Sequence, residues 1–153
     1  MIRKLLNGDI DRVADIWLKT NLKAHYFIPK QYWTSNYELV KEMMSQSEVY
    51  VFEEDKMIQG FVGLNNEYIE SIFVSDEMQS CGIGKLLLNY IKDKKVRLQL
   101  NVYQKNTRAI SFYQREEKGS LFNVKVWMKL LVKKSIPCYG NKNRKLDLEN
   151  LKI

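Results

Sequence analysis

The residues best suited to chemistry lie between Ile69 and Tyr113. Ile69-Glu70-Ser71-Ile72-Phe73-Val74 reads as a strand, and five residues beyond Val74 the run Gln79-Ser80-Cys81-Gly82-Ile83-Gly84-Lys85 opens a helix. A strand that feeds a glycine-containing turn onto a helix start leaves the N–H groups of the first helical turn without intrahelical partners. Those N–H groups and the helix dipole together bind phosphate. Gly82 and Gly84 read as positions where backbone approaches a pyrophosphate with no Cβ in the way, and Lys85 adds a cation beside them. A bare Gly-x-Gly says little. Here it is followed by a long amphipathic helix and by a second motif, Asn106-x-x-Ala109-x-x-Phe112-Tyr113.

The elements that must position these residues follow from periodicity. Ile2–Leu5 is a short strand. Asn7 or Asp9 can cap a helix running to about Thr20, with Ile10, Val13, Ala14, Trp17 and Leu18 on one stripe. Asn21 to Trp33 reads as an aromatic-rich loop with Pro29 as its breaker, and Thr34 or Ser35 can cap a second helix over Asn36–Met44. Glu48–Glu53 and Met57–Leu64 form a hairpin around the turn Glu54-Asp55-Lys56, the second strand being weakened by Gly60 and Gly63. Tyr68–Val74 is a third strand after Asn65-Asn66. Gly82–Lys95 is a helix with Ile83, Leu86, Leu87, Tyr90 and Ile91 on one face, Arg97–Tyr103 a strand, and Asn106–Arg115 a short helix. The expected class is α/β: a mixed, largely antiparallel sheet flanked by helices.

Bulk properties narrow the function. The 153 residues fit one domain, large enough to bury a core without disulfide or metal. Cys81, Cys138 and the single histidine offer no metal-ligand spacing. There is no apolar run near the ~20 residues that span a bilayer, and the first residues do not read as a signal peptide, so a cytoplasmic location is expected. The net charge of +7 is unevenly placed. Residues 1–115 carry 16 Lys+Arg against 14 Asp+Glu, and residues 116–153 carry 9 against 4. The basicity is therefore mostly a property of the tail, and its place argues against a specific nucleic-acid partner.

The two motifs resemble the signature of the GNAT acetyltransferases, Q/R-x-x-G-x-G/A followed by N-x-x-A-x-x-F/Y-Y. The resemblance covers about residues 1–115, and Asp15-Ile16-Trp17, Lys23-Ala24-His25, Phe27-Ile28-Pro29 and Tyr32-Trp33 resemble the small bacterial branch that includes protein-lysine acetyltransferases. It implies the GNAT fold and acetyl-CoA as cosubstrate, with no metal. Gln79, Ser80, Cys81, Gly82, Ile83, Gly84 and Lys85 would grip the pyrophosphate, backbone of Ile72, Phe73 and Val74 would pair with the pantetheine arm, and Asn106 would lie near the cofactor. Tyr113 would protonate the departing thiolate; a phenol of pKa ~10 suits that task. An amine would attack the thioester directly, so Cys81 need not be a nucleophile. Glu70 or Glu67 could serve as base through water, or be a solvated strand-end carboxylate. His25 reads equally as a structural histidine or a substrate contact, and Tyr26, Phe27, Tyr32 and Trp33 as core or as an acceptor wall. The implied acceptor is a primary amine of a protein or small molecule, with the chain a monomer or homodimer. A catalytically inactive CoA-binding protein is the alternative.

The resemblance stops after Phe112-Tyr113-Gln114-Arg115-Glu116. The family continues into Gly-Phe and two final strands, whereas this chain reads Glu117-Lys118-Gly119-Ser120-Leu121-Phe122-Asn123. Residues 1–116 are therefore read as the domain and 117–153 as an aberrant basic tail, with Phe122–Leu131 as a substitute strand and Gly140–Ile153 as a polar extension. Back-translating residues 118–142 and reading two bases along leaves one free wobble base per codon. It yields GFSIQCESVDEATGEKEYTMLWKQ, with a stop codon available across Asn143-Arg144. That string opens on the missing Gly-Phe and closes on a strand-like EYTMLW. Residues from about 117 onward are expected to be out of frame, through a natural frameshift or a sequence error. Resequencing the gene checks this: an intact frame with no slippage site contradicts it.

Overall fold

In the computed structural model, residues 1–117 and the backbone of 122–127 are described. Strands β1 (Ile2–Lys4), β2 (Glu48–Glu54), β3 (Met57–Asn65), β4 (Tyr68–Val74), β5 (Leu98–Tyr103) and β6 (Phe122–Trp127) form one sheet in chain order. The first four pair antiparallel; β4–β5 and β5–β6 are parallel. Helices α1 (Ile10–Ala24), α2 (Lys30–Ser35), α3 (Tyr37–Gln46), α4 (Ile83–Lys92) and α5 (Thr107–Glu117) complete the mixed α/β fold. Alternation along β2 and β3 sends Val49, Val51 and Phe61 into one core with α1, Trp33 and α3, and Phe52, Val62 and Leu64 into a second core with α4, β5 and Tyr113.

Several boundaries differ from the sequence reading. Helix α1 runs four residues past Thr20, and within it the side chain of Asn21 donates to the carbonyl of Trp17 (2.9 Å). Pro29 stands at the N-cap of α2, where its carbonyl accepts from the Tyr32 N–H (3.0 Å), so the chain re-enters a helix directly after it. Thr34 and Ser35 do not cap α3: their hydroxyls donate back to the carbonyls of Lys30 and Gln31 within α2. Asp9 accepts from the Leu6 N–H and pairs with Arg3, which ties the start of α1 to β1. The hairpin turn is made by Asp55 and Lys56, both at positive φ, with Glu54 still in the strand. Of the Phe122–Leu131 strand, Phe122–Trp127 pairs along the whole of β5; Met128–Leu131 and the 140–153 extension lie outside the described residues.

Gly60 strengthens the fold where the sequence suggested weakness. A Cβ there would stand 2.8 Å from the carbonyl oxygen of Phe73 and 3.1 Å from Cγ2 of Ile83. The bare glycine lets α4 lie directly on β3. Gly60→Ala is therefore expected to cost about 1–3 kcal/mol as an overpacking change, lowering Tm by roughly 2–4 °C per kcal/mol. Thermal unfolding followed by circular dichroism checks this, and an unchanged Tm would count against it.

Candidate active site

Among the described residues, strands β4 and β5 are joined at one position, Tyr68 opposite Gln99, with the Gln99 N–H donating to the carbonyl of Glu67 (3.0 Å). Beyond it the strands part, so the β5-facing edge of β4 from Ile69 to Val74 carries backbone groups that no ladder satisfies. The Tyr68 hydroxyl accepts from the Asn101 N–H (3.1 Å) and closes the base of this opening. An open strand edge is a template for an extended ligand. Ile72, Phe73 and Val74 lie on it.

On its other edge β4 is bulged. Gly63 faces Ser71 and Leu64 faces Ile69, leaving Glu70 as the extra residue. A bulge re-aims side chains and takes backbone out of the ladder. Glu70, half-buried, lines a small apolar recess with Trp17, Val40, Met44, Val49 and Phe61, and is the single ionisable residue among those lining it. Glu67 is exposed in the turn before β4.

The chain leaves β4 through Ser75, which is buried. Its hydroxyl donates to Oε1 of Gln59 (2.7 Å) and its N–H to the carbonyl of Gln59 (2.7 Å). Gln59 is the extra residue of a second bulge, in β3. After one short turn, Asp76–Met78, the loop takes its shape from Ser80 (φ 65°) and Gly82 (φ 84°), both left-handed, with α4 starting at Ile83. Left-handed residues in so tight a loop turn N–H groups inward as an anion nest. No side chain caps α4, so the N–H groups of Ile83, Gly84 and Lys85 face the same concavity. Glycine is required at 82 by conformation: a Cβ there would meet nothing within 4 Å, but its φ is strained for any other residue. At Gly84 a Cβ would come within 3.5 Å of the Phe112 ring, an ordinary contact.

Side chains hold this loop. Gln79 donates to the Val74 carbonyl (3.2 Å) and to Asp76 (3.0 Å). Arg108, at the start of α5, donates to Oε1 of Gln79 (2.6 Å) and to the Ser80 hydroxyl (3.1 Å). Both acceptors on Arg108 are uncharged, so the guanidinium's positive charge stays at the loop. Lys85 is exposed and leans 3.8 Å from the Glu116 carboxylate. Cys81 is exposed, its thiol 3.7 Å from the Gln79 carbonyl. Arg108 and Tyr68 were not singled out from the sequence; a cation two residues after Asn106, on the helix that follows the loop, is the signal that marks Arg108.

Asn106 caps α5: its Oδ1 accepts from the Ala109 N–H (3.2 Å) and its Nδ2 lies 3.1 Å from Nε2 of His25. His25 is fully buried, with Nδ1 2.8 Å from Oδ1 of Asn21. Its ring stacks on Trp33 and meets Phe27 and Tyr103 edge-on, and burial lowers its pKa to about 4. Tyr113 is buried in the α4–α5 core. Desolvation first, and the neighbouring Tyr68 second, push its phenol up from its ordinary value. Tyr32 and Trp33 pack edge to face, while Tyr26 is exposed. Among the described residues no group of His, Cys, Asp or Glu is arranged to hold a metal.

An acetyltransferase (GNAT) domain family matches residues 45–116. The chain is 34% identical over 116 residues to the peptidyl-lysine N-acetyltransferase YiaC of Escherichia coli, covering 74% of this chain and 80% of that protein. Its fold is similar to the solution structure of apo YjaB from Escherichia coli (TM-score 0.68, 23% identity, 74% of this chain and 78% of that one). It is also similar to the PaiA N-acetyltransferase of Thermoplasma acidophilum in complex with coenzyme A (TM-score 0.65, 19% identity, 76% and 87%). A split sheet edge running into a left-handed loop at a helix start, on a chain this close to YiaC over most of its length, makes the protein a member of the GNAT acetyltransferase family.

Proposed function

We propose that this protein moves an acetyl group from acetyl-CoA directly to a primary amine, with a protein lysine side chain as the acceptor. The parting of β4 from β5 carries the donor half of this reading: it leaves an extended backbone edge that ends at an anion nest and a free helix N-terminus. A long arm with a pyrophosphate at one end fits that order. The likeness to a peptidyl-lysine N-acetyltransferase supports the acceptor.

Backbone of Ile72, Phe73 and Val74 pairs with the pantetheine arm, while Gln79–Lys85 and Arg108 hold the phosphates. Bound acetyl-CoA supplies a thioester whose carbonyl carbon takes the amine lone pair as its C–S bond breaks. Glu70, the extra residue of the β4 bulge, receives the amine proton through water, and a backbone N–H of β4 polarises the carbonyl oxygen. Tyr113 gives its proton to the sulfur. The burial that keeps the phenol protonated also raises the proton affinity of a thiolate expelled beside it. The exposed Cys81 has no covalent part.

Two measurements test this. Saturating acetyl-CoA should raise Tm, since ligand binding to the folded state stabilises it by RT ln(1 + [L]/Kd). Arg108→Ala should shrink that rise, with affinity falling roughly tenfold for a lost charge-assisted contact of about 1.5 kcal/mol. No shift in the unaltered protein would sink the donor site. Tyr113→Phe should lower kcat about 100-fold or more, the usual worth of a general acid, with acetyl-CoA affinity unchanged within about twofold. Normal turnover in that variant removes Tyr113 from the chemistry, and binding without turnover in the unaltered protein identifies an inactive CoA binder.

A further inference from the structure

The proposed reaction assigns no part to His25, although it is fully buried and every polar atom of its ring has a partner. The two amides beside it are oriented by other contacts. Asn21 donates through Nδ2 to the Trp17 carbonyl (2.9 Å), so Oδ1 is the atom that faces the imidazole, and Nδ1 of His25 must carry the proton. Asn106 accepts the Ala109 N–H through Oδ1 (3.2 Å), so Nδ2 faces the imidazole and Nε2 must be the acceptor. One directed chain therefore runs from the Ala109 N–H through Asn106, His25 and Asn21 to the Trp17 carbonyl. It joins the C-terminal turns of α1 to the cap of α5.

Helix α5 carries the Arg108 that clamps Gln79 and Ser80, the Phe112 that packs over Gly84, and Tyr113. On the other side the imidazole is packed by the rings of Phe27, Trp33 and Tyr103. We propose that His25 is a positioning residue: in its Nδ1–H form it pins the start of α5 through Asn106, and so fixes Arg108 against the loop of the donor cleft and Tyr113 in the α4–α5 core. This rests on the reading of that cleft as an acetyl-CoA site.

The neutral form suits the surroundings. Burial alone depresses the pKa of the ring, and no charged side chain among the described residues acts on it. The titratable group packed against it, Tyr103, is itself pushed up to about 12 by burial and stays neutral. The other packed groups, Asn21, Phe27, Trp33 and Asn106, do not titrate.

His25 is the only histidine in the chain, so its nitrogen resonances are assigned without ambiguity. In the unaltered protein, 1H–15N correlation spectra of the imidazole should show the Nδ1–H tautomer with no titration between about pH 5 and pH 8, as burial of the neutral ring requires. Asn106→Asp keeps an acceptor that caps α5 equally well but removes the donor to Nε2. The ring then carries a second proton to meet the carboxylate, and its pKa rises into that range. A raised pKa means the link is intact below the new midpoint and broken above it. The ratio of variant to unaltered kcat, measured with acetyl-CoA and a lysine peptide, should fall at least fivefold as pH rises through the midpoint seen in the spectrum.

His25→Phe keeps the ring packing and removes both bonds. CoA Kd should rise at least threefold and kcat should fall more than tenfold, with Tm only a few degrees lower. A histidine that merely fills the core would lower Tm and leave both constants within twofold, and that result overturns the proposal. So does an Nε2–H tautomer in the unaltered protein, or a flat kcat ratio through the imidazole midpoint. If the unaltered protein binds CoA but does not turn over, acetyl transfer fails separately, and the tautomer with the CoA Kd of His25→Phe decides the positioning role.

Discussion

Strands β4 and β5 meet at Tyr68 and Gln99 and then separate, and most of the remaining structure exists to make that separation tolerable. Two neighbouring strands that part leave unpaired N–H and C=O groups, each costly if buried without a partner. The break is confined in two ways. Tyr68 reaches across to take the Asn101 N–H, which ends the opening at its base. On the far side of β5, β6 pairs over the full length Leu98–Tyr103, so β5 is held by a complete ladder on that edge. What stays open is the facing edge of β4, available to an extended ligand.

Two half-sheets joined by one bridge would hinge unless something spans them. Helices α4 and α5 do so from one face. Leu87, Leu88 and Ile91 of α4 share a core with Val62 and Leu64 of β3 and with Leu98, Leu100 and Val102 of β5. Lys92 of α4 also donates to the Glu116 carbonyl of α5 (2.6 Å). Gly60 sets how near α4 can come to the sheet, and this fixes where its N-terminus, the floor of the loop, must lie. The close approach at Gly60 and the left-handed cap at Gly82 are thus parts of one arrangement: the first places the helix end and the second turns the chain onto it.

Much of this was legible in the sequence because it depends on local periodicity. The strands from Glu48 to Val74 alternate, the face of α4 repeats at helical spacing, and the loop motif stands at a strand-to-helix junction. What was not legible depends on register or on contacts between distant residues. Nothing in Ile69-Glu70-Ser71 marks a bulge, since no glycine or proline stands there; the extra residue appears only when Gly63 is seen opposite Ser71 and Leu64 opposite Ile69. Gly60 looked like a flaw because the residue it accommodates, Ile83, is 23 positions away. Asn106 and His25 are 81 residues apart, and no spacing rule joins them. Helix α2 was missed because the aromatic residues around Pro29 read as irregular chain, while in the fold Trp33 is fixed between Trp17 and His25.

The electrostatics of the loop carry the last step. The net charge of +7 is a poor guide to it, since most of the excess lies beyond residue 115. The local balance is decided by which cations are already matched. Lys85 leans toward Glu116 and Lys23 toward Asp76 (3.5 Å). Arg108 is held instead by an amide oxygen and a hydroxyl. Neutral acceptors fix a guanidinium's direction without cancelling its field, and its planar fork suits a phosphate better than an ammonium does. A second cation, Arg108 of α5, two residues beyond the residue that caps that helix, thus stands at the loop together with the Lys85 that the motif itself contains.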